Sequence, residues 1–325
     1  MHNAKPDMPQ EKYYKFSQYL KTRFGCRVYK IGIDAGFSCP NRDGKLSDQG
    51  CVYCDNRAFS LNSRRDLNSG KSFPNTIERQ IEQGILFGRR RYAAQKFMVY
   101  FQSYTNTYAA LDTLKQRYDV ARKFKDVAAI TIGTRPDCIN EEILDLIQGY
   151  TQDYEVWLEY GLQSIHAKTL ELVNRGHVYE DFLRAIELTR QRKNIKICAH
   201  VIIGLPNETR EDIMATARAL SRIDLDGIKI HPLHIIKGTR LEEAFRAGSC
   251  KLLGLKEYVK LVIEFLEYIP ASFIIQRLTA DCPRQFLAGP LWLLEKNKVL
   301  EQIQAVFETQ EKYQGRLCQK VDKLV

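Results

Sequence analysis

Short apolar runs alternate along this chain with segments whose apolar residues recur every third or fourth position. The run Val28-Tyr29-Lys30-Ile31-Gly32-Ile33 predicts a first strand, and the stretch 96–102 (KFMVYFQ) a buried second one. Further strands are expected at 127–132, 155–159, 195–203, 227–230 and 273–276. Between them, Asn75-Thr76-Ile77-Glu78 opens as a capping box, and Ile77, Ile81 and Ile85 fall on one helical face. Leu111, Leu114 and Tyr118 predict another helix, 141–147 and 167–173 two more, and Thr209 with Asp212 caps the helix after the 195–203 strand. Strands separated by helices imply a parallel sheet with right-handed crossovers. About six such units curl into a full or partial barrel. After Pro290, Leu291, Trp292 and Leu294, then Leu300, Ile303, Val306 and Phe307, have helical spacing and read as a cap packed on that barrel.

In such barrels the chemistry lies where strands end and loops begin. Polar residues recur at those points: Gln102 and Ser103, Arg135 and Asp137, Glu159 and Gln163, His200, His231 and His234, Gln276 and Arg277. Each alone is as well explained by packing or capping. Together they describe the wall of a polar pocket.

A length of 325 residues, 44% of them hydrophobic and 27% charged, is enough for a sizeable globular core. No stretch resembles a signal peptide or a membrane span, so cytoplasm and no membrane partner are expected. The formal charge of +10 is partly local. Between Lys12 and Lys30 lie Lys15, Lys21, Arg23 and Arg27 with no acidic residue, and Arg89-Arg90-Arg91 and Arg190, Arg192, Lys193 and Lys196 add further patches. Such clusters gain affinity for polyanions by releasing counterions, although a solvated surface has the same composition.

Cys39, Cys51 and Cys54 carry the sharpest chemical signal, as C-x11-C-x2-C in a loop rich in Gly, Asn, Asp and Pro directly after the first strand. Three thiolates suit an iron–sulfur cluster with one iron open to a small molecule, whereas electron-transfer clusters usually take four. A zinc site is the alternative. It needs a fourth ligand, for which Cys26 is the nearest candidate, since no histidine lies between His2 and His166. Cys138, Cys198, Cys250, Cys282 and Cys318 are scattered singly and read as small buried hydrophobes.

The loop and the repeated strand–helix units together resemble the radical S-adenosylmethionine (SAM) superfamily, in particular its YhcC/YtqA-type family in the elongator-catalytic-subunit-like branch. The resemblance runs from about residue 15 to about residue 295 and rests on ordered segments. They are GFSCPNRDG (36–44), GCVYC (50–54), YFQSYTNTY (100–108), GTRPDC (133–138), WLEYGLQS (157–164), TLELVNRGH (169–177), HVIIGLPNET (200–209), DGIKIHPLHIIKGT (226–239) and GPLW (289–292). It implies a partial (β/α)6 TIM-like barrel with a C-terminal helical cap: a basic segment over 1–20, the core barrel over 21–270, and a strand and helical extension over 271–325.

The resemblance also implies that Cys39, Cys51 and Cys54 hold a [4Fe-4S] cluster, on which SAM is reductively cleaved to a 5′-deoxyadenosyl radical. Tyr53 is then expected near the adenine, with Gln102 and Ser103 at the strand end where many members carry Gly-Gly-Glu. Glu159, Gln163, Arg175 and the turn Gly204-Leu205-Pro206 match positions lining the cofactor pocket. The implied partners are tRNA, at a modified wobble uridine, and a reductant such as flavodoxin or ferredoxin. Nothing after Gly289 matches the acetyltransferase domain of elongator-type proteins, so the expected reaction remodels an existing uridine side chain. A radical SAM enzyme for a small metabolite or peptide, and a zinc-stabilised nucleic-acid-binding protein, are the alternatives.

Overall fold

The computed structural model describes residues 11–63 and 76–318. Its centre is one parallel sheet of seven strands: β1 (Val28–Ile33), β2 (Lys96–Phe101), β3 (Val127–Thr134), β4 (Glu155–Gln163), β5 (Ile195–Ile203), β6 (Gly227–Pro232) and, after the two-residue β7 (Ile235–Ile236), β8 (Ile274–Arg277). The order is β1-β2-β3-β4-β5-β6-β8, each strand parallel to the next, as helical crossovers require. The sheet curls into a half-barrel whose edges, β1 and β8, face one another across a seam without backbone pairing. β7 pairs antiparallel with β9 (Leu287–Gly289) beside the barrel mouth.

Both faces of the sheet are covered, which explains the near-continuous apolar runs. Outward residues such as Ile31, Val99, Phe101, Ile130, Leu158, Ile197 and Ile230 pack beneath the helices in the main core. Inward residues Met98, Ala129, Trp157, Cys198 and Ile274 form a second, smaller core at the strands' N-terminal end. A helix over Phe16–Phe24 plugs that end, inserting Leu20 and packing Phe16 and Tyr19 edge-on against Trp157. Glu155 fastens the plug: it accepts from the Tyr19 hydroxyl at 2.7 Å, the Trp157 indole at 2.8 Å and Arg23 at 2.9 Å. The plug also closes part of the seam, since Ile275 N donates to Tyr14 O at 2.8 Å.

The expected strands all form. β4 runs on to Gln163, past the expected end at Glu159, and β6 to Pro232. The helix over Ile77–Tyr92 starts at Thr76, whose hydroxyl accepts from Arg79 N, and buries Ile81 and Ile85; Asn75 lies outside the described residues. Thr209 and Asp212 form the expected reciprocal cap. The C-terminal cap is a short turn over Leu291–Leu294 followed by a helix over Lys296–Thr309 that buries Val299, Ile303 and Phe307.

Candidate active site

The cysteine loop leaves β1 at the C-terminal end of the barrel and is tied to two other segments. Its second half is held as a turn, with Cys54 N donating to Cys51 O at 3.1 Å. Val52 N donates to Val173 O, and Leu241 N donates to Val52 O, each at 3.0 Å. Asn174 and Arg240 both donate to Gly50 O, at 2.7 and 2.6 Å. Gly50 has φ +70°, and a Cβ there would lie 2.9 Å from the Arg42 side chain, so both the turn and the close packing call for glycine. These ties bring Cys39, Cys51 and Cys54 onto the wall of one cavity of about 200 Å³.

Cys51 is buried beside a guanidinium. Arg175 donates to its sulfur at 3.6 Å and to Gly161 O at 2.7 Å, and the Asn41 amide reaches the same sulfur at 3.5 Å. Burial alone would raise the thiol pKa, but the Arg175 charge and hydrogen bond, with Arg135 and Asn41, bring it below its ordinary value. A thiolate is the form that binds metal. Cys54 is pushed up to about 12 by burial and then by the charge of Cys51, so a cation is needed for both to ionise together. Among the described residues no three His, Cys, Asp or Glu side chains converge on a point one ion would fill. Three thiols spread around one cavity suit a multi-iron cluster.

The cavity is otherwise polar and incompletely satisfied. Arg175 Nε, Gln163 Oε1, Glu159 Oε2 and His200 Nε2 are buried on its wall without hydrogen-bond partners among the described residues. Buried polar atoms are nearly always paired, so this pattern fits a chamber made for a polar ligand. Gln163 lies at a break in the β4–β5 register with φ +73°, a backbone strain that costs of order 1–3 kcal/mol. Gly161, just before it, leaves room for Arg175, because a Cβ there would lie 2.8 Å from Arg175 Nη2. Beside Gly161, on β5, stands His200, followed by His231 and His234, with successive ring centroids 5.5 and 4.8 Å apart. Burial first, then nearby positive charge, lowers the pKa of His200 to about 3; burial likewise lowers His234 to about 4. These imidazoles are neutral at pH 7.

Beneath the cavity lies a charged layer. Lys229 donates to Glu159 at 2.6 Å and to the Tyr100 hydroxyl at 2.9 Å, and that hydroxyl donates to the same Glu159 oxygen at 2.7 Å. Lys30 lies 4.3 Å from the Tyr100 ring centre and donates across the seam to Gln276 Oε1 at 3.2 Å. Burial acts to raise the Glu159 pKa, but Lys229 and Lys30 hold it well below the usual carboxylate range.

Of the residues singled out from sequence, Cys39, Cys51, Cys54, Tyr53, Gln102, Arg135, Glu159, Gln163, Arg175, His200, His231, His234 and Arg277 all line this cavity. Ser103 is fully buried and bonds the Ser63 hydroxyl at 2.7 Å, outside the lining. Asp137 pairs with Arg135 at 2.8 Å, which in turn donates to Arg175 O at 2.7 Å. The turn at Gly204 packs against Leu253, away from the cavity. Lys30 and Lys229 were not singled out, because a lysine between apolar residues in a strand reads as solvent-facing.

Comparison with known proteins places this geometry in a family. The model described as the radical SAM superfamily matches residues 44–220, and that of the radical SAM C-terminal domain matches 225–309. The uncharacterized protein YtqA of Bacillus subtilis is 34% identical over 97% of this chain and 95% of its own length. YhcC of Escherichia coli is 37% identical over 85% and 86%. More distant is the tRNA uridine(34) acetyltransferase of Methanocaldococcus infernus, 29% identical over 53% of this chain and 34% of its own. Among solved structures, the Elp3 of the same archaeon superposes with a TM-score of 0.61 at 18% identity, over 88% of this chain and 64% of that one. With its half-barrel, its three-cysteine loop and near full-length kinship to YtqA and YhcC, the chain belongs to the YhcC/YtqA family of the radical SAM superfamily and is an enzyme, not the zinc-stabilised binding protein that its cysteines alone left open.

Proposed function

We propose that Cys39, Cys51 and Cys54 hold a [4Fe-4S] cluster, that SAM binds in the adjoining cavity, and that the substrate is a tRNA carrying a modified wobble uridine. The observation carrying this reading is the meeting of all three thiols with polar groups that have no partner among the described residues on one cavity wall. When bound, the cluster and SAM supply an organic radical that removes hydrogen from the substrate. The chain's own residues bind, orient and exclude water. Arg175 favours the thiolate at Cys51 and is itself held by Gly161 O and, through its carbonyl, by Arg135. Glu159, Gln163 and Gln102 offer carboxylate and amide groups to a zwitterionic, hydroxylated cofactor, with Tyr53 reaching the same cavity from within the cysteine loop. The tRNA assignment is supported by the distant acetyltransferase relative and by the basic surface. Flavodoxin or ferredoxin is the expected electron donor.

Anaerobic reconstitution tests the cluster. About four irons per chain, a brown colour and cleavage of SAM to 5′-deoxyadenosine and methionine under dithionite are expected. Cys39→Ala, Cys51→Ala or Cys54→Ala should lose all three, while Cys26→Ala keeps them. A colourless protein with one zinc, or a full cluster that never cleaves SAM, overturns the reading. The substrate is tested separately by nucleoside profiles of total tRNA from cells with and without the gene. A single altered uridine derivative is expected; identical profiles point instead to a small metabolite or peptide.

A further inference from the structure

The inner layer of the barrel holds more positive charge than it neutralises. Lys30 of β1 and Lys229 of β6 both feel the charge of Arg277 of β8, and Glu159 is the carboxylate that the two lysines share. Glu159 is already engaged by Lys229 and Tyr100. Arg277 makes no ion pair or side-chain hydrogen bond with the described residues. Next to it, Gln276 Nε2 is buried without a partner among the described residues, its amide oxygen being taken by Lys30. Arg277 and Lys229 line two spaces at once: the cavity that holds the cysteines, and a groove of about 880 Å³ that follows the seam from the surface. That groove is lined by Lys15, Lys21, Arg27, Lys30 and Lys296 as well.

Gathering Arg277, Lys229 and Lys30, the last a cation only below about pH 7, in one layer with a single carboxylate is costly unless a further anion completes the set. A guanidinium offers a planar fork that binds carboxylate or phosphate oxygens in pairs, and ammonium groups add point charge. We propose that Arg277, Lys229 and Lys30 form a receptor for a small oxyanion, a carboxylate or a phosphate carried by the substrate, where the seam groove meets the cavity. The substrate is thereby an anionic one, and the receptor sets how deep its reacting part lies in the barrel. This rests on the reading of the cavity as the reaction chamber.

The test is isothermal titration calorimetry on cluster-loaded protein saturated with SAM, using acetate, dimethyl phosphate and neutral acetamide as probes. Both anions, or one of them, should bind at least about tenfold more tightly than acetamide, the scale of one charge-assisted hydrogen bond. Acetate ahead of dimethyl phosphate assigns the anion to a carboxylate on the substrate; the reverse assigns it to the nucleic-acid backbone. Arg277→Gln should remove about tenfold of the anion's affinity and none of acetamide's. Lys30→Met, on the open side of the seam, should act in the same direction and serves if Arg277→Gln fails to fold. Anions that bind no better than acetamide, or variants that bind them as the parent does, overturn the receptor. So does anion binding seen only when SAM is omitted, since the cofactor's own carboxylate would then occupy the site. The same preparations are assayed for SAM cleavage. Cleavage without anion preference removes this inference alone, whereas anion preference without cleavage removes the radical reading and leaves the receptor.

Discussion

Glu159 offsets part of the positive charge of the barrel's inner layer, and two substitutions there test how that charge is held. Glu159→Gln strands Lys229 and Lys30 opposite Arg277 without their carboxylate, and should cost about 3–5 kcal/mol in urea unfolding. Lys30 runs the other way. Burial, partly offset by Glu159 and reinforced by Lys229 and Arg277, lowers its pKa from 10.5 to about 7. Tyr100 of β2, Gln276 of β8 and Cys198 of β5 face it across the barrel interior. The unfolded chain therefore holds this proton up to pH 10.5, while the folded one releases it near 7. The resulting destabilisation is complete below pH 7 and fades as pH rises from 7 to 10.5. Lys30→Met should thus stabilise the protein by about 1–3 kcal/mol at pH 6, allowing for solvent at the seam, with little gain left at pH 10. A gain that is flat with pH would show that Lys30 is not held in this way. The cysteines could be read from spacing because metal binding demands closely placed thiols, and the strand-end residues because a barrel gathers them at one end. Lys30 and Lys229 could not: alternation in a strand distinguishes two faces but does not say that the second face lines a lumen.

At the scale of elements, the Phe16–Phe24 helix stands in for the layer of side chains that would fill the base of a closed barrel. Leu20, 6% exposed, is its one buried residue, so its apolar periodicity is too weak to announce a helix in the sequence. Its stability comes from Trp157 and Glu155, residues far away in the chain. Leu20→Ala should cost about 2–4 kcal/mol in urea unfolding, as other large-to-small changes in packed cores do. A cost near zero would mean the plug is not integral to the barrel. The Leu255–Tyr268 helix, by contrast, is amphipathic in the sequence itself. Lys256, Glu257, Lys260, Glu264 and Glu267 recur every three to four residues beside the buried Tyr258, Val259, Leu261, Val262, Ile263, Phe265 and Leu266, the pattern of a helix with one face on the core. Strands β1 and β5 were legible to the residue because their apolar runs are bounded by polar or turn residues. β4 overran its expected end because Gly161, which reads as a loop former, and Gln163 after it are held in the ladder by a bulge.

Over the whole molecule, charge is distributed in a way that fits the proposed substrate. The seam groove is lined by Lys15, Lys21, Arg27, Lys30, Lys229, Arg277 and Lys296 against a single acid, Glu11, which Lys15 pairs. It starts at the surface beside the N-terminal plug and ends at the inner charge layer, so a polyanion lying along it would bring an attached group to the cavity. The overall charge of +10 explains attraction to any polyanion, but the groove adds direction. Lys21 and Arg27 are exposed on the groove and remote from the cysteine cavity, which makes them clean probes of this path. Each phosphate contact releases counterions and steepens the fall of affinity with salt by close to one logarithmic unit per unit of log salt. Lys21→Ala with Arg27→Ala should therefore weaken tRNA binding at low salt and reduce the slope of log affinity against log salt by about two. SAM cleavage without tRNA should be unchanged, because neither residue touches the cavity. An unaltered slope would place the tRNA on another face, with Arg89-Arg90-Arg91 on the outer helix Ile77–Tyr92 as the next patch to neutralise.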